Sequence, residues 1–377
     1  MSVLGIAVFV LGLVLMILLH EAGHFLTARA FGIKVEEFFV GFGPRLWSTK
    51  RGETEYGLKA IPLGGYVRIA GMNPFQETPK KDLARTFGAK PAWQRAIVLA
   101  AGSATHFILA LLLLLVFFWA IGVPTAFSPR VIHVEPRLDG RPSPAAVAGI
   151  EPGDEIVSID GVATPSVDQF LETTRTSAGE EMTIVVERDD RRITVRAAPV
   201  LSEVEGEQVG RLGIVIGSAR VLERDRTGPL TAIGRSAQLT GEFTYRSFEG
   251  LGQVFSPSGL ARIGGLLFGE EEREVTDPTG IVGAARLSGQ AASSGNIDSL
   301  LLFLAGFNVF VGILNILPLP PLDGGHLAVL AVEKVTGRKV DVRRLLPLTA
   351  LVAGVLILLT VSLTYLDVVR PLPNPFQ

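Results

Sequence analysis

The chain has 377 residues, 48% of them hydrophobic, and a positive mean hydropathy of +0.40, which is more apolar character than a soluble chain of this length requires. Thirty-five Lys and Arg stand against 37 Asp and Glu, a net charge of -2, so there is no global basic excess to recommend nucleic acid as a partner, and this much apolar content excludes a disordered or collagenous chain. Cysteine is absent, which removes disulfides, thiolate metal ligands, iron-sulfur clusters and thiol nucleophiles together. Any site must be built from His, Asp, Glu, Ser or Lys.

Four stretches lack Asp, Glu, Lys and Arg and are long enough to cross a hydrocarbon core, which takes about 20 helical residues. They run over 1–20, 96–129, 299–322 and 345–366. The first has no basic start and no small-residue cleavage site, and its helical pattern continues past Glu21 and His24, so it reads as a retained span rather than a signal peptide. Between the first two spans lie 12 basic and 6 acidic residues, and Lys334, Arg338, Lys339, Arg343 and Arg344 follow the third. The positive-inside bias puts both of these loops in the cytoplasm and both termini outside. The predicted organisation is a first transmembrane helix over 1–28, a cytoplasmic loop over 29–95, a second helix over 96–125, an outer domain over 126–200, and an outer linker with an amphipathic region over 201–298. A third transmembrane segment over 299–322, a cytoplasmic loop over 323–344, a fourth helix over 345–366 and a tail over 367–377 complete it.

Within the first loop, Glu55 to Arg68 alternates apolar and polar residues and then meets the double glycine Gly64-Gly65, a pattern of strand and turn that predicts a membrane-associated β-hairpin. It has two readings, packing of the loop or presentation of a substrate strand. The outer domain alternates short apolar runs with the turn signals Pro152-Gly153-Asp154 and Asp160-Gly161, and pairs a strand at 182–186 with one at 192–195. Its run from Ser143 to Gly161 resembles a bacterial PDZ domain over roughly 70 residues. That resemblance implies a module taking an extended peptide on a strand edge, against the alternative of a rigid spacer. Residues 201–210 read as a polar linker, and 230–255 as a helix with Ile233, Phe243, Phe248 and Leu251 on its apolar side.

His20-Glu21-Ala22-Gly23-His24 closes the first span. The i, i+4 spacing puts both imidazoles on one helix face, where they can grip one zinc ion. Glu21 is turned about 100 degrees from His20, which sets its carboxylate beside the metal rather than on it, placed to take a proton from a polarised water. Catalytic zinc normally has three protein ligands. Asp323 is the first charge after 24 uncharged residues, and spans one and three run the same way, so topology brings it to the depth of His20. Pro318, Pro320 and Pro321 forbid regular helix before it and predict an extended segment, while Asn315 in the apolar run either binds an unwound substrate backbone or satisfies the helix break.

The motif His20-Glu-x-x-His24 in a first span, Asn315-x-x-Pro318-x-Pro320-x-Leu322-Asp323-Gly324 in a later one, and a PDZ-like insert between spans two and three resemble the site-2 protease family. The likeness is strongest to its bacterial PDZ-containing group, similar to the regulator of sigma-E protease. Asp277-Pro-Thr-Gly-Ile281 is similar to the Gly-Pro-x-Gly-Ile element of that group. The resemblance implies a polytopic α-helical membrane protein with four transmembrane helices, a cytoplasmic β-hairpin loop and an extracytoplasmic α+β PDZ domain, in the bacterial inner membrane. It implies Zn2+ on His20, His24 and Asp323, Glu21 as general base and Asn315 near the substrate. The implied partners are the lipid bilayer and single-span membrane proteins such as anti-sigma factors, cleaved in regulated proteolysis of the envelope stress response, with a peptide or protein contact through the PDZ domain. Where many relatives have Gly-Pro-x-x-Asn, this chain has Gly102-Ser-Ala-Thr-His106. His106 then reads as a hydrogen-bonding side chain between spans, with a fourth metal ligand as the alternative; His326 reads as a partner behind the ligands. Competing functions are a membrane adaptor with a vestigial site, which would need no Glu21, a transporter, for which paired broken repeats are missing, and the group of the family dedicated to spore development.

Overall fold

A computed structural model describes residues 3–73, 78–163, 166–204, 207–269, 271–274, 276–293 and 297–373. The chain separates into two compact units, Met1–Phe117 with Pro229–Phe376, and Phe118–Gly228 between them in sequence.

Helix α1, Val3–Ala30, follows from a stretch dominated by Leu, Ile, Val and Ala and free of proline. An antiparallel hairpin comes next, β1 Val35–Arg51 and β2 Thr54–Ile69, turning at Gly52 with φ 63°. The double glycine predicted to end the strand lies inside β2. Phe42 occupies the place of a side chain at Gly64, where a Cβ would lie 2.4 Å from its ring, and a Cβ on Gly65 would lie 3.1 Å from Cγ of Glu21 on α1. These glycines make room for a ring and a helix instead of reversing the chain. The hairpin base is anchored by Lys34, whose ammonium donates to Asp82 at 2.8 Å. That bond raises the Lys34 pKa and lowers that of Asp82.

Helix α2, Ala92–Leu115, continues in wider turns to Ile121. It stops four residues before the expected 125, because Gly122 adopts φ 90° and Pro124 follows.

The second unit contains β3 Val123–Val134, the short pair β4 Arg137–Leu138 and β5 Arg141–Pro142, α3 Pro144–Ala148, β6 Glu155–Ile159, β7 Val162–Ala163, α4 Val167–Thr176, β8 Met182–Arg188, β9 Arg191–Ala197, β10 Val200–Val204, β11 Glu207–Arg211 and β12 Ile214–Asp225. Its main sheet has the order β12-β3-β6-β8-β9, with β7 on β6. Ile156, Ile184, Val186, Met182 and Phe170 fill its core. Two expectations change here. Residues on either side of 205–206, read as linker, form the hairpin β10–β11, and β12, beyond the expected boundary at 200, pairs with β3 to complete the sheet.

The first unit then resumes with α5 Pro229–Val254, α6 Pro257–Phe268, α7 Ile281–Ser293, α8 Ile297–Ile316, α9 Asp323–Thr336 and α10 Leu346–Val369. The helix expected over 230–255 is present, but its buried face is Ala232, Ser236 and Thr240. Small residues at i, i+4 let it lie against α2 and α8, which leaves Ile233 and Phe248 exposed. After α8 the prolines end the helix as predicted, though the chain folds into tight turns, with the amide of Leu319 donating to the carbonyl of Leu317, rather than extending. Asp323 then opens a helix where a loop was expected, since the run after His326 is again Leu, Ala and Val.

Among the described residues, four helices are long and apolar enough to cross a membrane, over Ile6–Ala30, Ala92–Ile121, Asp298–Ile316 and Arg343–Val369. Leu351, Ile357, Leu358 and Val361 stand exposed along α10, a surface that suits lipid and not water.

Candidate metal centre

His20 and His24 lie on one face of α1, and the break after α8 brings the first residue of α9, Asp323, against them. Nε2 of His20 is 3.3 Å from Nε2 of His24, and Oδ2 of Asp323 is 3.4 Å from the first and 3.2 Å from the second. Among the described residues, these three form the one group of ligand-bearing side chains gathered closely enough to share an ion. A tetrahedral site with bonds of about 2.0–2.1 Å has donor-to-donor edges of roughly 3.3 Å. The triangle therefore has the size of one face of a zinc coordination sphere.

The protonation pattern points the same way. Nδ1 of His24 donates to the carbonyl of Val98 at 2.7 Å, which leaves a lone pair on its Nε2. Oδ2 of Asp323 is buried and has no hydrogen-bond partner among the described residues. Electron pairs thus converge on one point, an arrangement that a cation relieves.

Glycines allow the approach. A Cβ on Gly23 would lie 2.6 Å from the carbonyl oxygen of Ala101, so α1 and α2 meet backbone to backbone. A Cβ on Gly102 would lie 2.2 Å from Nε2 of His24 and 2.6 Å from Cε1 of His20. Gly324 and Gly325 sit equally close to the turn they follow, where Cβ atoms would fall 2.1 Å from the carbonyl oxygen of Ile316 and 2.5 Å from the nitrogen of Pro320.

Glu21 is turned around α1 from His20 toward β2, close to the triangle, and the Val67 backbone hydrogen-bonds its carboxylate. It stands next to the triangle without joining it. Asn315 is half-buried in the last turn of α8. His106 is 2% exposed, its ring centroid is 5.0 Å from that of His20, and its Nδ1 donates to Oδ1 of Asn308 at 3.4 Å. It ties α2 to α8, and it does not belong to the triangle. His326, half-buried on α9, stands outside the triangle as well.

Sequence reasoning did not find the roles of Gly102, Gly65 and Asn308. Gly102 was signalled by its motif, whereas Gly65 and Asn308 depend on which helix each meets.

Multiple apolar helices around a His-His-carboxylate cluster with an adjoining glutamate define a membrane metallopeptidase. The profile of peptidase family M50 matches residues 8–361, and the chain belongs to that family, the site-2 proteases. The chain is similar to Zinc metalloprotease Rip1 of Mycobacterium tuberculosis strain H37Rv, at 34% identity over 100% of this chain and 99% of the relative. It is also similar to putative zinc metalloproteases of Brucella suis, at 34% over 88% and 86% of the two chains, and of Clostridium perfringens, at 30% over 95% and 96%. The family resemblance carried by the sequence motifs is thereby borne out.

Proposed function

We propose that this multi-pass membrane peptidase is a zinc enzyme that cleaves single-span membrane proteins within their transmembrane segments, with His20, His24 and Asp323 as the metal ligands and Glu21 as general base. The observation that carries the reading is the triangle of donor atoms, 3.2 to 3.4 Å on a side, with Glu21 one residue along the same helix. Zinc also stands in the names of the relatives in Mycobacterium, Brucella and Clostridium. Bound there, zinc supplies a Lewis acid that polarises the scissile carbonyl and acidifies a water. Glu21 would take a proton from the attacking water and return it to the leaving amine.

A helical substrate hides its peptide bonds, so the substrate segment unwinds before attack. Two elements are suited to hold it extended. The strand β2 passes Glu21 at Gly65 and Val67, and Asn315 offers an amide in the last turn before the proline break. The positive-inside bias supports a cytoplasmic hairpin and an outer second unit, in a bacterial inner membrane. The α+β make-up of that unit and the place of β12 at the end of the strand order among the described residues support a PDZ-type module that meets a peptide or protein. Anti-sigma factors trimmed outside by another protease, acting in envelope stress signalling, are the substrate class we favour.

The test is mass spectrometry of a single-span substrate incubated with the purified protein and with Glu21→Gln, with zinc quantified in both. Cleavage inside the span by the wild type alone, with zinc in both samples, is expected. Zinc without cleavage across several helix-destabilised substrates would favour a membrane adaptor.

A further inference from the structure

A ligating imidazole almost always donates its second ring N–H to an acceptor, which fixes the tautomer and the ring plane. His24 does so through Val98. For His20, Nδ1 is buried and has no partner among the described residues. On the adjacent helix, Nε2 of His106 is in the same condition.

The hydrogen-bond chain behind His106 assigns its tautomer. Nδ2 of Asn308 donates to the carbonyl of Leu304 at 2.8 Å, so the side-chain oxygen of Asn308 is the acceptor facing His106. Nδ1 of His106 therefore carries the proton at the 3.4 Å contact, and its Nε2 carries a lone pair. If Nε2 of His20 holds the metal, its Nδ1 carries the proton. The two unpartnered nitrogens are thus a donor and an acceptor, on rings whose centroids are 5.0 Å apart and tilted by 39°. At that ring separation a donor and an acceptor can meet directly after a ring rotation or through one bridging water.

We propose that His106 is a positioning residue for His20, the acceptor, direct or through water, that sets the His20 tautomer, with Asn308 in turn setting that of His106. The inference rests on the reading of His20 as a metal ligand. It sets aside the fourth-ligand alternative for His106 and extends the interhelical tie into a chain running from Leu304 through Asn308 and His106 to His20.

The experiment is zinc affinity of the full-length protein in detergent, by competition with a chromophoric chelator, for the wild type, His106→Phe, His106→Gln and His106→Asn. The melting of each metal-free protein and the visible spectrum of each cobalt-loaded one accompany it. Glutamine reaches the place of Nε2 and can accept from His20, whereas asparagine reaches only the place of Nδ1 and can keep the contact with Asn308. A positioning role predicts that Phe and Asn weaken zinc binding by about 10 to 100-fold. Gln stays near the wild type, the metal-free melting temperatures follow none of this, and the cobalt spectra keep the same ligand set. Rescue by Asn and not by Gln would leave His106 as an interhelical tie and overturn the proposal, as would a Phe variant with unchanged affinity. A cobalt spectrum that loses one nitrogen ligand in the variants would overturn it in favour of direct ligation. If the Phe variant does not fold, the Gln and Asn comparison decides alone. A His20→Ala control that binds zinc as well as the wild type would show instead that the reading of the metal centre has failed.

Discussion

Two carboxylates, Asp367 and Asp323, leave water at helix ends of the same unit in opposite ways. Asp367, near the end of α10, is 1% exposed and accepts from Nη2 of Arg273 at 2.8 Å, the hydroxyl of Thr279 at 2.9 Å, and the amides of Gly280 at 2.9 Å and Gly283 at 2.7 Å. The chain itself neutralises that charge, and the N-terminus of α7 adds its dipole. Asp323 has its buried Oδ2 against two imidazole nitrogens and, among the described residues, no hydrogen-bond partner. A carboxylate surrounded by donors is a structural clasp, and one facing lone pairs calls for a cation. Both are the first acid after an uncharged span, so position in the sequence does not separate them.

The largest effects expected test the two roles separately. Asp367→Ala leaves Arg273 buried without its partner and should cost about 3–5 kcal/mol of stability. Thermal denaturation in detergent should show the same loss with and without a zinc chelator, because the clasp holds no metal; a chelator-dependent loss would break the comparison. Glu21→Gln should lower the cleavage rate by about 10² to 10⁴-fold while leaving both zinc content and melting temperature unchanged.

A smaller effect is expected where the centre is only crowded. Gly102→Ala places a methyl group 2.2 Å from Nε2 of His24, and relief of that overlap should cost about 1–3 kcal/mol. The loss should appear as weaker zinc binding by roughly an order of magnitude or two, with the metal-free protein melting near the wild type. The smallest effect belongs to Asp82→Asn at the hairpin base. The bond from Lys34 lowers the folded pKa of Asp82, so its contribution is present at neutral pH and is lost as the pH falls below the ordinary aspartate value of about 3.9 and through the lower folded one. Melting curves of the variant and the wild type should converge below that range.

The centre was legible because its signals are local or countable. His20 and His24 share a face by helical period, and Asp323 is marked as the charge that ends an uncharged run. The prolines marked the break, while the compact form of the turn depended on Gly324 and Gly325 packing into it. The clasp was not legible, since Arg273, Thr279, Gly283 and Asp367 come from segments that meet only in the folded unit. The β10–β11 hairpin escaped for another reason. Ser202, Glu203, Glu207 and Gln208 are polar on successive positions, and no alternation marks a strand whose partner is equally polar. The passage of β2 beside Glu21 was hidden in a pair of glycines that read as a turn when taken without the helix they touch.

The most direct test of the account is zinc content per chain, after equilibration against a weak chelator, in Asp323→Asn, Asp367→Asn and Glu21→Gln prepared in parallel with the wild type. The account predicts zinc near the wild-type level in Glu21→Gln and Asp367→Asn, and its loss in Asp323→Asn alone. Equal zinc in Asp323→Asn and Glu21→Gln would contradict the assignment of Asp323 as a ligand, and with it the distinction between the two carboxylates.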